Sequence, residues 1–317
     1  MSIGNYLYLT SVPNQEAELV NAESAILTGH APNACGITIS ERCVDVTRGA
    51  YVKSCMEILF EGEDIPEVCE QIETSGLYAE DFRVSVVKRP RRLAVDTMKI
   101  AHLIGGVIEG AVCLARPRVV FLAVITNEKV WLGRLLSESD GWWLVHRKRP
   151  YMTSSALPTK LARAIVNLIA DPCDRLVDPC CGTGTIVLEA AHMGIRVVGY
   201  DINPKMVKAT QGNLAHYNLD ASVLLGDARQ ISEPFDALAA NLPYGIMLDR
   251  TPVQDREILQ NLNNVAPKAV FVAIQDLSKP LEDLGYRVRQ IVHAPKQNMV
   301  RRIYITDTGF TSRSIGE

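Results

Sequence analysis

Apolar and polar positions change their spacing along the 317-residue chain. In the first third, apolar runs at Tyr6–Thr10, Gly36–Asp45 and Tyr51–Phe60 predict strands. Apolar positions three and four apart predict helices over Asn14–Leu27 and Ile65–Thr74. Strand, helix, strands, helix is the order of a ferredoxin-like α+β sandwich. A second α/β set follows, with strand Phe82–Val87 and a helix over Asp96–Glu109 that carries Met98, Ala101, His102, Gly105 and Ile108 at helical spacing. Strands Val119–Ile125 and Lys129–Leu135 complete it. Trp142, Trp143, the run His146–Tyr151, and then Thr153, Ser154 and Ser155 break the periodicity and read as a connection. From Thr159 helix and strand alternate regularly: helix Lys160–Ile169, strand Arg175–Pro179, helix Thr185–His192, strand Arg196–Tyr200, helix Lys205–His216, strand Ala221–Leu225. Strand Asp236–Ala240, helix Pro252–Asn264, strand Ala269–Ile274, helix Lys279–Leu284 and strands Tyr286–His293 and Met299–Ile305 follow. Such βα units closed by a hairpin predict an α/β doubly wound, mainly parallel, seven-stranded sheet with one antiparallel strand. The expected division is 1–76, 77–141, a linker 142–158, and 159–317.

With 47% hydrophobic and 22% charged residues, the chain has enough apolar content for two or more cores, which excludes a disordered protein. No repeat runs through it, which excludes a solenoid. The stretch Ile100–Ile108 is interrupted by His102 and two glycines, far short of the roughly 20 apolar residues of a membrane span. Met1–Leu19 lacks a basic start followed by an apolar block, so a cytoplasmic protein is expected. The cysteines at 35, 43, 55, 69, 113, 173, 180 and 181 show no Cys-x2-Cys spacing and no neighbouring His cluster. Reduced thiols and no metal site are therefore expected.

Net charge is only −3, but it is sorted along the chain: residues 1–81 carry 3 Lys+Arg against 14 Asp+Glu, residues 82–150 carry 13 against 5, and residues 151–317 carry 17 against 17. Much of the basic excess lies in three runs: Lys88, Arg89, Arg91 and Arg92; Arg116 and Arg118; Arg147, Lys148 and Arg149. They read as a phosphate-binding face for RNA. The alternative is a solvated surface opposite the acidic first segment.

The sharpest motif is Asp178-Pro179-Cys180-Cys181-Gly182-Thr183-Gly184-Thr185, at a predicted strand-to-helix turn. Gly182 and Gly184 let the backbone approach a ligand, and the helix start offers unpaired N–H groups, which fits a nucleotide-type cofactor. A dinucleotide fingerprint needs a third glycine where Val187 stands, so nicotinamide chemistry is disfavoured. A merely tight turn is the competing reading for the loop alone. Asp201 ends the next strand, placed to accept ribose hydroxyls, with Ile202 after it. Asp227 ends the third strand, and with the Ala228 N–H it suits the amino edge of an adenine. After the fourth strand comes Asn241-Leu242-Pro243-Tyr244-Gly245. An exocyclic amino group on a nucleobase is a poor nucleophile because its lone pair is delocalised into the ring. The Asn241 oxygen and Leu242 carbonyl can accept its two hydrogens and turn that lone pair toward an electrophile while Tyr244 stacks on the base.

These two motifs together resemble the class I S-adenosylmethionine-dependent methyltransferases that modify amino nitrogens, and residues 159–305 match that fold in element order. Phe82–Leu136 resembles a THUMP RNA-binding domain. Arg149–Ile169, with Pro150, Tyr151, Met152, Leu157, Pro158, Lys160, Leu161 and Ala162, resembles the linker and first helix of the archaeal tRNA guanosine-10 N2-methyltransferase family. The resemblance implies a methyltransferase sheet preceded by ferredoxin-like and THUMP modules that bind the tRNA acceptor end, with S-adenosyl-L-methionine as cofactor. It further implies that Asp178, Cys180, Gly182, Thr183, Gly184 and Thr185 surround the methionine part of the cofactor. Asp201 and Ile202 would serve its ribose, Asp227 and Ala228 its adenine, and Asn241, Leu242, Pro243 and Tyr244 the target guanine. A small zinc-binding activator protein is an implied partner. One departure is that the family more usually has Asp-Pro-Pro-Tyr where Asn241-Leu242-Pro243-Tyr244 stands. An amide keeps the acceptor but loses the charge. DNA-adenine or protein-glutamine methylation, and a non-catalytic tRNA-binding protein, are the alternative readings.

Overall fold

The computed structural model describes residues 5–11, 16–242, 252–296 and 299–310, which fall into two compact units. The first unit comprises Met1–Val12, Ser24–Thr47 and Tyr51–Asp140. Its strands β1 (Tyr6–Thr10), β2 (Ile37–Ser40), β3 (Val52–Gly62), β4 (Phe82–Lys88), β5 (Val119–Ile125) and β6 (Val130–Glu138) form one sheet in the order β2-β1-β3-β6-β5-β4. All neighbours are antiparallel except β4 and β5. Strand β5 is apolar throughout because both its faces are covered. Phe121, Ala123 and Ile125 pack with Val68 and Ile72 of α2 (Ile65–Ser75) and Ile100 and Ile104 of α3 (Thr97–Val107). Leu122 and Val124 pack on the other side with Leu7, Met56 and Trp131. Helix α2 begins where the Asp64 side chain accepts the Glu67 N–H and ends at Gly76 in the left-handed region, as its sequence dictates. Strands assigned by sequence to 1–76 and to 77–141 share this sheet, because β3 pairs with β6, Met56 opposite Leu135.

The second unit comprises Pro13–Glu23, Arg48–Ala50 and Gly141–Glu317. Helix α1 (Ala17–Thr28) contributes its first half to it. Glu23 Oε1 accepts the Ala50 N–H at 2.9 Å and Asn167 Nδ2 at 2.7 Å. Arg48 donates to Asn167 Oδ1 and to the Ala170 carbonyl, each at 2.6 Å. The expected connection after residue 141 contains a short helix, α4 (Trp142–His146). Helices α5 (Thr159–Ile169), α6 (Thr185–His192), α7 (Pro204–His216), α8 (Pro252–Leu262) and α9 (Ser278–Asp283) accompany β7 (Arg175–Asp178), β8 (Arg196–Asp201), β9 (Ser222–Leu225), β10 (Ala237–Asn241), β11 (Lys268–Ala273), β12 (Arg287–Lys296) and β13 (Met299–Asp307). The seven strands are ordered β12-β13-β11-β10-β7-β8-β9. Strand β13 runs antiparallel to both its neighbours, and the other described pairings are parallel. Winding proceeds outward through β8 and β9 and then reverses to β10 on the opposite side of β7. A crevice opens at such a reversal, outside the carboxyl ends of the strands. No helix among the described residues is long and apolar enough to cross a membrane.

Candidate active site

Strand β7 delivers Asp178 to the sheet edge, and the glycine loop turns from there into α6. Gly182 has φ 54° and Gly184 φ 76°, both in the left-handed region that favours glycine. A Cβ on Gly184 would stand 2.3 Å from Thr210 Cγ2, so α7 can approach this closely only where a side chain is missing. A Cβ on Gly182 would meet nothing within 4 Å; that side of the loop is open.

The loop is fastened at almost every polar position. Cys181 N–H donates to the Tyr200 carbonyl at 2.8 Å, and Gly184 N–H to the Cys181 carbonyl at 2.7 Å. Gly182 N–H donates to Asp201 Oδ2 at 2.8 Å. From α7, Thr210 Oγ1 donates to the Gly182 carbonyl and Asn213 Nδ2 to the Thr183 carbonyl, each at 2.8 Å. Thr210 and Asn213, one turn apart on the buried side of α7, are the residues that sequence reasoning missed. Their signal was present, as polar side chains at positions the helical spacing gives to the core beside Val207 and Leu214.

A crevice of about 360 Å³ lies against this loop, lined among others by Ser155, Cys180, Gly182, Asp201, Asp227 and Asn241. The structure thus brings the ends of β7, β8, β9 and β10 to one place, with Ile202 and Ala228 also on its wall. Asp201 Oδ1 accepts the Asn203 N–H at 2.8 Å in addition to the Gly182 bond on Oδ2. Each oxygen keeps a lone pair for a ligand. Asp227 is engaged differently: Arg229 donates to it from Nε and from a terminal nitrogen at 2.6 Å, and the same guanidinium also pairs with Glu257 at 3.1 Å. A smaller recess of about 40 Å³, which shares Cys180, Gly182 and Asn241 with the crevice, is lined also by Asp178, Thr183 and Thr185. Burial, and then the neighbouring Asp201 charge, push the Asp178 carboxyl up to about 8, against the Cys180 N–H that lowers it.

At the end of β10, Asn241 Nδ2 donates to the Ser155 carbonyl at 3.5 Å, and its Oδ1 is buried without a hydrogen-bond partner among the described residues. Thr183 Oγ1 is in the same condition. Leu242 is half-buried against the core, its N–H bonded to the Val272 carbonyl at 3.1 Å. Pro243 and Tyr244 lie outside the described residues.

The residues read as an RNA face are sorted by burial. Arg89 is buried and donates to the Thr10 carbonyl at 2.9 Å, and Lys88 Nζ donates to the Leu93 carbonyl at 2.8 Å. Arg149 is buried and donates to Thr185 Oγ1 at 3.1 Å and to the His146 carbonyl at 3.3 Å. Thr185, read as a cofactor contact, is therefore also a partner of the linker. Arg91, Arg92, Arg116, Arg147 and Lys148 are exposed, and exposed Arg118 pairs with Asp81 at 3.1 Å.

Residues 146–285 match a family described as RMKL-like, methyltransferase domain. A protein of Methanothermobacter thermautotrophicus named tRNA (guanine(10)-N2)-dimethyltransferase is 35% identical over 214 residues, which is 63% of this chain and 62% of that protein. One of the same name from Pyrococcus abyssi is 29% identical over 257 residues, 73% of this chain and 76% of that one. A Methanothermococcus thermolithotrophicus protein named "Probable tRNA (guanine(10)-N2)-dimethyltransferase" is 33% identical over 138 residues, 39% of this chain and 85% of that protein. The aligned part of the chain spans less than two thirds of the first of these relatives. With the glycine loop and the Asn241 strand end meeting at the switch point, and with these matches, the chain belongs to the tRNA (guanine(10)-N2)-dimethyltransferase family.

Proposed function

We propose that the protein transfers a methyl group from S-adenosyl-L-methionine to the exocyclic N2 amino group of a guanosine in tRNA, at position 10 by its relatives' names. The observation that carries this reading is the buried Asn241 Oδ1 beside the glycine loop, which has no hydrogen-bond partner among the described residues. A buried acceptor without a partner costs about 1–3 kcal/mol, and a ligand N–H removes that cost.

The residues fit the cofactor. Its sulfonium and ammonium are cationic, and the lining offers acceptors: Asp201, Thr183 Oγ1, Asn241 Oδ1 and the buried Asp178 carboxyl. When bound, the cofactor supplies an electrophilic methyl group on a positively charged sulfur. Asp201 holds its ribose, the wall at Asp227 and Ala228 faces its adenine, and the loop from Asp178 to Thr185 surrounds its methionine part. Asn241 Oδ1 and the Leu242 carbonyl accept the two N–H hydrogens of the target amine and turn its lone pair toward the methyl group, while Tyr244 stacks on the flipped base. The cofactor would supply the methyl group and its sulfur would leave neutral with the carbon–sulfur electron pair, while the amine held by Asn241 and Leu242 would supply the attacking lone pair and, once methylated, would lose a proton to water. Asn241 carries no charge, so positioning supplies most of the rate.

The exposed arginines and lysines between residues 88 and 148, with the THUMP-like segment 77–141 and the ferredoxin-like segment 1–76, hold the tRNA by its phosphates. A cytoplasmic setting and a small zinc-binding activator belong to the same proposal. Radiolabelled cofactor incubated in parallel with tRNA, DNA and ribosomal protein, followed by mass spectrometry of digested tRNA, tests it. Label in N2-methylguanosine is expected; label confined to DNA or protein, or none at all, overturns it.

A further inference from the structure

Beside the crevice, an exposed aromatic ring sits on a rigid mount. Tyr151 is 50% exposed and Met152 59% exposed, yet the main chain at Tyr151 is held at both polar groups. Its N–H donates to Asn213 Oδ1 at 2.9 Å and its carbonyl accepts from Asn213 Nδ2 at 2.9 Å. The same Nδ2 holds the Thr183 carbonyl, so one buried amide fixes the linker and the glycine loop together. The ring lies against Gly212, where a Cβ would stand 2.5 Å from Tyr151 Cε2. Thr153 and Ser155, a few residues on, line the crevice.

Exposed cations lie on both segments that meet at this ring. Arg147 and Lys148 precede it in the linker, and Lys208 lies one turn before Gly212 on the same face of α7. Unlike Arg149, these three point their charge to solvent. Holding a half-exposed ring in one place forfeits side-chain entropy, and burying the Asn213 amide requires every one of its bonds to be made. Such an arrangement is useful where the ring must meet a flat partner in a fixed pose. A π face flanked by cations at the rim of a crevice matches a single nucleic-acid strand, bases stacked and phosphates paired.

We infer that Tyr151 is a stacking platform for a nucleobase of the RNA strand entering the crevice, with Arg147, Lys148 and Lys208 taking its phosphates. This rests on the tRNA reading above but is measured by binding alone. Labelled tRNA transcript is titrated against Tyr151→Ala, Tyr151→Phe and the parent, and S-adenosylhomocysteine binding is followed in parallel by calorimetry. Tyr151→Ala is expected to weaken tRNA binding about tenfold with S-adenosylhomocysteine affinity unchanged, and Tyr151→Phe to match the parent. The RNA is also expected to quench the added fluorescence of Tyr151→Trp. Unchanged tRNA affinity in Tyr151→Ala overturns the inference, as does an equal loss of tRNA and S-adenosylhomocysteine binding, which would make the ring a prop for the glycine loop. A parent that binds tRNA without methylating it refutes the proposed reaction and leaves the Tyr151 assignment to be judged on binding.

Discussion

From Cys180 to Gly184 the glycine loop has its main-chain groups tied by Asp201, Tyr200, Thr210 and Asn213, whereas the end of β10 offers an amide that, among the described residues, makes one long bond through its donor and none through its acceptor. Both lie on the same crevice, a few ångströms of sheet apart. The contrast separates two tasks. A loop that must present a fixed shape to a ligand satisfies itself internally and stays the same with or without it. A side chain that must act on a reacting group keeps an atom in reserve.

The strongest way to break this comparison is Asn241→Ala. Turnover is expected to fall about 10²–10³-fold, with S-adenosylhomocysteine still bound and the melting temperature not lowered, since the unpartnered buried acceptor is removed with the amide. Single-turnover transfer alongside calorimetry measures both, and retained activity would remove Asn241 from the chemistry. Next is Gly184→Ala, where a Cβ collides with Thr210 at a positive φ. A loss of about 2–4 kcal/mol in stability is expected from overpacking and backbone strain together, read by denaturant unfolding. Asp201→Ala releases the Gly182 N–H and removes an acceptor from the crevice. Its expected signature is a 10- to 100-fold weaker S-adenosylhomocysteine affinity, the range of a charge-assisted hydrogen bond. Gly182→Ala sharpens the loop side further: with open space where its Cβ would point, only the left-handed backbone is penalised, at about 1–2 kcal/mol.

A separate readout is a slope in pH. Buried Asp178, pushed up to about 8, holds its proton more tightly in the folded than in the unfolded chain. Stability is therefore full below the ordinary carboxylate range and declines as pH rises toward 8. Melting temperatures taken between about pH 5 and 8 should show that decline in the parent and a flatter profile in Asp178→Asn. A parent profile that rises instead would place Asp178 among the charged carboxylates.

Much of this was legible from spacing. Apolar runs gave β5 and β11, helical spacing gave α2 and α7, and glycines at a strand end marked the loop, because each depends on neighbours in sequence. What spacing does not carry is distant partnership. The pairing of β3 with β6 joins segments that each look complete alone. Arg89 and Arg149 sit in basic runs that read as surface, yet each guanidinium turns inward to carbonyls supplied from far along the chain or across a bend. Asp227 looked ready for a ligand, and only the fold shows Arg229 folded back onto it. Thr210 and Asn213 were visible as polar interruptions of an apolar stripe, but their carbonyl partners were not.

The Glu23, Arg48 and Asn167 cluster bears on how this chain can be dissected. Cutting at residue 141 to express the second unit by itself would strip the buried Asn167 amide of both partners and uncap the end of α5 at Ala170. A soluble truncation therefore has to carry the early residues with it, for instance by circular permutation, since the two halves were never separable by a single scission.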